Sequence, residues 1–338
     1  MNKLEIDIPG KLFLAGEYAV TKAGNQALLA AVQKGLKLSL IPKEGDQSRI
    51  KSGKLPDLIF DFQQEITVET TSPWSYVHSA LKTLQSYIGQ GSYPSFDLKI
   101  ESQMVSPQGK LGLGSSAAVS VAIIKALNQF WQLKLPVLTQ YKLAAIAHYR
   151  IQGSGSLGDV AAITYGGIIH YHSPAIAELE EKRLSVPDLI QMDWPDLSIK
   201  PLHWPANWQL ILAATHQPAD TKTALAGLIL PASFYQKSNH CVEAASLAFQ
   251  NQDYDKARQA LTANQELLIA ALPAPYLSER LASFWETIQG QHLAGKVSGA
   301  GFGDNGYYLT RSQEKVDSQL KICGLTCTQL PIAPATNL

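Results

Sequence analysis

The stretch Gly109-Lys-Leu-Gly-Leu-Gly-Ser-Ser-Ala-Ala118 decides how the rest of the chain reads. It carries no bulky side chain after Leu113, and an apolar, helix-forming run from Ala117 to Ala126 follows it directly. Glycines let a backbone turn tightly and approach a ligand. Ser115 and Ser116 stand where the N-cap of that helix is expected. Unpaired amides and the positive end of the helix dipole then face the turn, which favours an anion such as phosphate.

Two common loop types fail here on detail. Gly109 and Gly114 have Walker A spacing, but Ser115 stands where that motif needs a lysine to reach the terminal phosphates. Gly112-Leu-Gly-Ser-Ser-Ala117 fits the loose dinucleotide fingerprint, yet Gln132 to Leu138 offers no acid to hold a ribose hydroxyl. A third reading draws on two flanking stretches. Pro9-Gly-Lys-Leu-Phe-Leu-Ala-Gly-Glu-Tyr-Ala-Val20 precedes the loop, and Lys296-Val-Ser-Gly-Ala-Gly-Phe-Gly-Asp-Asn-Gly306 follows it. In this order, and spanning almost the whole chain, the three motifs resemble those of the GHMP kinases, which act on galactose, homoserine, mevalonate and phosphomevalonate.

The resemblance implies an α+β chain built as two α+β domains with the active site in the cleft between them. The N-terminal domain would be like domain 2 of ribosomal protein S5 and the C-terminal one ferredoxin-like. The polar, Pro-punctuated stretch from Ser173 to Trp204 holds the expected boundary, giving 1–175 and 176–338. The resemblance also assigns roles. Lys110, Gly112, Leu113, Gly114, Ser115, Ser116 and Ala117 would bind ATP, with Ser116 as a candidate ligand of Mg²⁺. Lys11 and Asp159 would be catalytic. Tyr18, Ser156, Gly158, Thr221, Lys222, Ser298, Gly299 and Ala300 would join those two around the acceptor.

Several of these residues also have an ordinary structural reading. Lys11 is either a solvated turn residue or the cation near the transferred phosphate. Glu17 is either a buried hydrogen-bond acceptor or part of the site. Asp159 ends Gly153-Ser-Gly-Ser-Leu-Gly-Asp159 and either caps a Val160 to Ile163 helix or sets a carboxylate beside a ligand. The Thr221 to Thr223 turn is either solvated or holds anionic groups of the acceptor, and Lys110, Lys222 and His216 all remain candidates for its carboxylate.

Gly16-Glu-Tyr18 replaces the Gly-Glu-His common in mevalonate kinases and galactokinases, and resembles the bacterial phosphomevalonate kinases. That branch implies transfer of the ATP γ-phosphoryl group to the phosphate of (R)-5-phosphomevalonate, giving 5-diphosphomevalonate and ADP in isoprenoid synthesis. Mevalonate kinase is the alternative, and a non-catalytic sensor on the same fold a distant one. One departure bears on the metal. Mevalonate kinases carry a Glu metal ligand on the helix before the Asp loop, where Leu143 to Arg150 contains no acid.

Composition narrows the partners. The 338 residues include 28 basic and 28 acidic side chains for a formal net charge of zero, which argues against a general nucleic-acid surface and for small-molecule substrates. No uncharged run approaches the ~18 apolar residues of a membrane span, and the start, with Glu5 and Asp7, is unlike a signal peptide. A cytoplasmic monomer or homodimer is the expectation. Cys241, Cys323 and Cys327 lack the spacing of a metal site and read as thiols, and His170 and His172 read as structural.

Periodicity supplies the elements. Strands are expected over Leu4 to Ile8, Leu12 to Ala15, Ala27 to Ala31, Leu36 to Ile41, Leu58 to Phe62, Phe96 to Ile100, Ile168 to Tyr171, Trp208 to Thr215 and Tyr307 to Thr310. Helices are expected over Trp74 to Ile88, Ala117 to Phe130, Thr139 to Tyr149, Ser238 to Phe249, Tyr254 to Leu272 and Tyr276 to Ile288. The aromatic residues of the first helix read as core.

Overall fold

Residues 26–32, Gln-Ala-Leu-Leu-Ala-Ala-Val, are small or branched apolar groups that suit a strand buried on both faces. In a computed structural model describing residues 3–89, 91–106, 109–216, 228–303, 305–311 and 324–336, they open the long strand β2 (Gln26–Pro42). β1 (Leu4–Ala15) lies antiparallel along one edge of it. Each of these strands was expected as two pieces, and each is continuous. The register slips between Ile8 and Gly10, so Pro9, which has no N–H to donate, falls on a bulge and does not end the strand. Gly35 makes the crossing possible, since a Cβ there would lie 1.8 Å from the Ile8 carbonyl oxygen.

The other edge of β2 is shared. Following β3 (Gln47–Ser52), β4 (Leu58–Asp61) and helix α1 (Ser75–Ile88), strand β5 (Phe96–Ser102) pairs with Leu36 to Pro42. A small hairpin of β6 (Val105–Ser106) and β7 (Gly109–Lys110) leads into α2 (Ser115–Phe130), α3 (Val137–Gln152) and α4 (Gly158–Tyr165). Then β8 (Ile168–His172) pairs with Gln26 to Ala30. Between the two partners, residues at the far end of the chain close the gap: Gln33 N donates to Pro331 O at 2.8 Å, Ala333 N donates to Ala31 O at 2.9 Å, and Val32 bridges to Ile332. Helices α1 to α4 bury their apolar sides in the core beneath this sheet.

The polar stretch after β8 holds α5 (Ile176–Glu181), α6 (Val186–Gln191) and β9 (Ser198–Leu202). β9 pairs with β8, so the first sheet, in the order β4-β3-β5-β2-β8-β9 with β1 on β2, reaches past the boundary expected at 175. We place the division at 203–208 instead. Pro195 and Pro205 flank β9 and Pro201 lies within it, at the edge of the sheet, so Pro punctuation hid a five-residue strand.

The second sheet is antiparallel, in the order β11 (Ala294–Ser298), β12 (Asn305–Thr310), β10 (Gln209–Ala214), β13 (Thr326–Gln329). Helix α7 (Ala232–Gln250) pairs with α8 (Tyr254–Ala271), and α8 packs on β11. The last helix among the described residues, α9 (Glu279–Gly290), begins after Tyr276, which turns instead into the core beside Val297 and Leu268. Phe284 and Ile288 of α9 cover one face of the sheet against Ile211, Ala213 and Tyr308. The opposite face, with Leu210, Leu212 and Tyr307, belongs to the same core as β1 and β2. Among the described residues no helix is long and apolar enough to cross a membrane.

Gly35→Ala is expected to destabilise the protein by at least about 3 kcal/mol, because its Cβ meets backbone and not a movable side chain. Urea unfolding of the variant against the parent measures this directly.

Candidate active site

The central loop turns where the sequence allows it. Gly114 is the N-cap of α2 in the left-handed conformation (φ 80°), and having no side chain it leaves the helix's first amides uncapped. Ser115 and Ser116, expected as the cap, are instead the first two helical residues. The amides therefore stay available to an anion at the positive end of the dipole. Lys11 is part of this loop. Its backbone N–H donates to Leu113 O at 2.9 Å, its Nζ to Gly112 O at 3.2 Å, and its stem lies so close that a Cβ on Gly114 would stand 2.8 Å from its Cγ. Lys11 sits on strand β1 facing the loop, and is no solvated turn residue.

The facing wall comes from the junction of α3 and α4. α3 ends at Gly153 (φ 73°), and α4 starts after Leu157, its left-handed N-cap (φ 61°). Asp159 is thus the second residue of α4 and not its cap; its Oδ1 accepts from Val160 N at 2.8 Å. Two buried phenols hold the loop before it. Tyr171 Oη donates to Ser156 O at 2.5 Å, which uses its only proton, so Tyr141 Oη donates to Tyr171 Oη across their 3.0 Å contact. Burial raises the pKa of both, helped by the Asp159 charge, so the donors persist through the physiological range.

A third wall joins the two sheets. Lys296 on β11 is fully buried, and its Nζ lies 2.6 Å from Glu17 Oε1 at the end of the first motif. Burial pulls the Lys296 pKa down and the Glu17 carboxylate opposes it. Tyr18 (φ 64°) donates its hydroxyl to Ala300 O, and Ser298 Oγ donates to Phe13 O at 2.7 Å. The three walls enclose a cleft of about 430 Å³.

Comparison with known proteins agrees with this construction. The family models "GHMP kinases N terminal domain" and "GHMP kinases C terminal" match residues 75–167 and 245–323. A phosphomevalonate kinase of Streptomyces sp. (strain CL190) is 30% identical, over 91% of this chain and 90% of the relative. The chain is a GHMP kinase. A mevalonate kinase of Methanocaldococcus jannaschii is 27% identical over 48% of the chain and 52% of its own length. The Streptococcus pneumoniae phosphomevalonate kinase, solved in complex with phosphomevalonate and AMPPNP, has the same fold, with a TM-score of 0.82 at 22% identity over 97% of this chain and 100% of that one.

Within this kinase, Lys11, Tyr18, Ser116, Ser156, Asp159, Gly299 and Ala300 line the one cleft. Gly112 and Gly114 shape the loop, while the side chains of Leu113 and Ala117 are buried. Lys110 is exposed on β7 and Ser115 is exposed on α2, and neither lines the cleft. The Ser298 hydroxyl is committed to the Phe13 carbonyl. Gly158 is buried at the start of α4. Glu17 is a buried acceptor, held by Lys296, and it also lines the cleft, so the structure joins the two readings. Thr221 and Lys222 lie outside the described residues. His216 is bound through Nε2 to Thr326 Oγ1 at 3.0 Å, which ties up one of the carboxylate candidates.

The sequence reading missed Lys296 as the partner of Glu17, and missed Tyr76, His148 and Gln152. The last two are four apart on α3, but the helix expected over Thr139 to Tyr149 stops short of Gln152, so their shared face shows only in the longer helix. Tyr76 belongs to the first helix, whose aromatic residues read as core, and its ring stacks on His148 with centroids 5.2 Å apart. His170 and His172 are structural: His170 Nε2 lies 2.7 Å from Gln26 Oε1, and burial lowers its pKa to about 4. No group of three or more His, Cys, Asp or Glu that could hold a metal occurs among the described residues.

Removing one partner of the Glu17–Lys296 pair leaves the other charge buried and alone. Lys296→Met should therefore cost about 3–5 kcal/mol, and adding Glu17→Gln should restore part of the loss. Denaturant unfolding of both single variants and the double variant gives the coupling.

Proposed function

We propose that this kinase transfers the γ-phosphoryl group of ATP to the phosphate of 5-phosphomevalonate, giving ADP and 5-diphosphomevalonate. The observation that carries the reading is the convergence of Lys11, Ser116 and Asp159 on one cleft at the open N-terminus of α2. The near-complete match to a phosphomevalonate kinase, against a half-length match to a mevalonate kinase, supports the choice of acceptor.

Phosphoryl transfer asks the protein for little covalent chemistry. It asks for donor and acceptor in line and for charge to be offset where it develops. The amides of the loop after Gly112 hold the nucleotide phosphates, and Lys11, anchored by Gly112 O and packed on Gly114, sets its ammonium at the transferred group. Asp159 and Ser156 orient the acceptor from the facing wall. The residues suit Mg²⁺ brought in by the nucleotide: Ser116 and Asp159 offer hard oxygen donors that would hold it. Bound there, the ion would offset charge on the phosphate oxygens.

A phosphate monoester has a second pKa near ~6 and is already largely dianionic at neutral pH, so its oxygen needs little help from a base. Charge neutralisation by Lys11 therefore outweighs proton removal by Asp159. Lys11→Met should lower kcat by about 10²-fold or more, and Asp159→Asn by less. The reverse ranking would contradict this division of labour. Purified protein with ATP and Mg²⁺, tested in parallel against mevalonate, 5-phosphomevalonate and 5-diphosphomevalonate with products identified by mass, should turn over 5-phosphomevalonate. Turnover of mevalonate in its place would move the function to a hydroxyl acceptor.

A further inference from the structure

Helix α3 carries His148 and Gln152 one turn apart onto the wall of the cleft that holds Asp159. His148 is 4% exposed, yet it lines the cleft, and its Nδ1 is buried with no hydrogen-bond partner. Nδ1 has no access to the cleft, so a ligand there meets the ring through its other nitrogen, Nε2. The ring is not loosely placed. It stacks on Tyr76 with 26° between the planes, and the Tyr76 hydroxyl donates to Gln152 Oε1 at 2.6 Å. That bond uses the amide oxygen of Gln152 as acceptor and leaves the NH₂ as its free end. Burial lowers the His148 pKa against the pull of Asp159, so the imidazole is a neutral N–H donor.

Charge around the cleft gives this arrangement its meaning. Of the acids lining it, Glu17 is committed to Lys296, and Asp159 faces the open space. An acceptor bringing a phosphate dianion beside Asp159 needs donors on that wall, and a second carboxylate there would repel it. The stretch Leu143 to Arg150 supplies an imidazole and no acid. Tyr76 also lies near Ser116, whose hydroxyl acts against the rise that burial gives the Tyr76 pKa. One phenol thereby braces the donors of this wall beside the start of α2.

Resting on the phosphorylated-acceptor reading above, we propose that His148 and Gln152 form the subsite for the acceptor's phosphate, and that their uncharged donors select a phosphorylated acceptor over one that offers only a hydroxyl. The imidazole N–H and the amide NH₂ each donate to a phosphate oxygen. Tyr76 is a positioning residue, holding both side chains in place.

The test compares steady-state kinetics of the wild type, His148→Gln, His148→Glu and Gln152→Glu, each with ATP and 5-phosphomevalonate varied in turn. Gln152 is exposed, and its replacement by Glu is isosteric and keeps an oxygen for Tyr76, so this variant probes the charge without disturbing the core. Both Glu variants should raise KM for 5-phosphomevalonate by about tenfold or more, the size of one lost charge-assisted contact, with KM for ATP within about twofold of the wild type. His148→Gln, which keeps an uncharged donor, should recover most of the acceptor affinity. A Gln152→Glu enzyme with unchanged acceptor KM, or Glu variants that raise both KM values alike, would overturn the subsite. So would a His148→Gln enzyme as impaired as His148→Glu. Wild-type turnover of mevalonate alone would overturn the acceptor reading and the subsite together, whereas wild-type turnover of 5-phosphomevalonate with unselective variants would overturn the subsite only.

Discussion

An ammonium with no exposure to water, 2.6 Å from a carboxylate on the other sheet's side of the cleft, is the contact on which the site geometry hangs. Neither charge is tolerable there without the other. Because Glu17 ends the first motif and Lys296 begins the third, the pair fixes how the strand bearing Lys11 meets the glycine turn bearing Gly299 and Ala300. The shorter-range ties around it, Ser298 to Phe13 O, Tyr307 to Leu14 O and Asn305 to Leu111 O, all run from the second sheet to β1 or to the central loop. Two sheets that share a core in this way present one cleft, on which Lys11, Ser116 and Asp159 converge.

The division of charge within the cleft follows. Glu17 lines the cleft but is already paired with Lys296, so Lys11 and Asp159 are left on opposite walls as the ion and counter-ion to which the proposed transfer assigns its charge. Lys11 stands on a strand and leans on a glycine, which costs it conformational freedom before any nucleotide arrives. An ammonium ordered in advance contributes more to a developing charge than one that must be recruited from solvent.

Much of this was legible in the sequence, and the parts that were not share a cause. The glycine motifs announced the loop, the cleft and the kinase family, because backbone conformations that glycine adopts most readily leave a mark in the residues themselves. Gly114 at φ 80° is such a mark, although the cap was expected at Ser115 or Ser116. Lys296 was visible as a letter in the third motif, but its role depends on a partner 279 positions away, which no local pattern encodes. Strand β9 was missed because prolines around it read as linker, and the breaks expected in β1 and β2 were bulges that a partner strand repairs. His148 and Gln152 carry no motif at all. Their meaning comes from Tyr76, which sits on a different helix.

The closure of β2 by Pro331, Ile332 and Ala333 has a consequence for how the molecule is made. Gln33 and Ile332, which meet there, stand 299 positions apart. Translation runs from the N-terminus, so β1, β2, β5 and the four helices are all synthesised before the segment that satisfies the middle of β2 exists. The central strand of the first sheet thus receives its last partners only after the strands of the second sheet from β10 to β12 have been made.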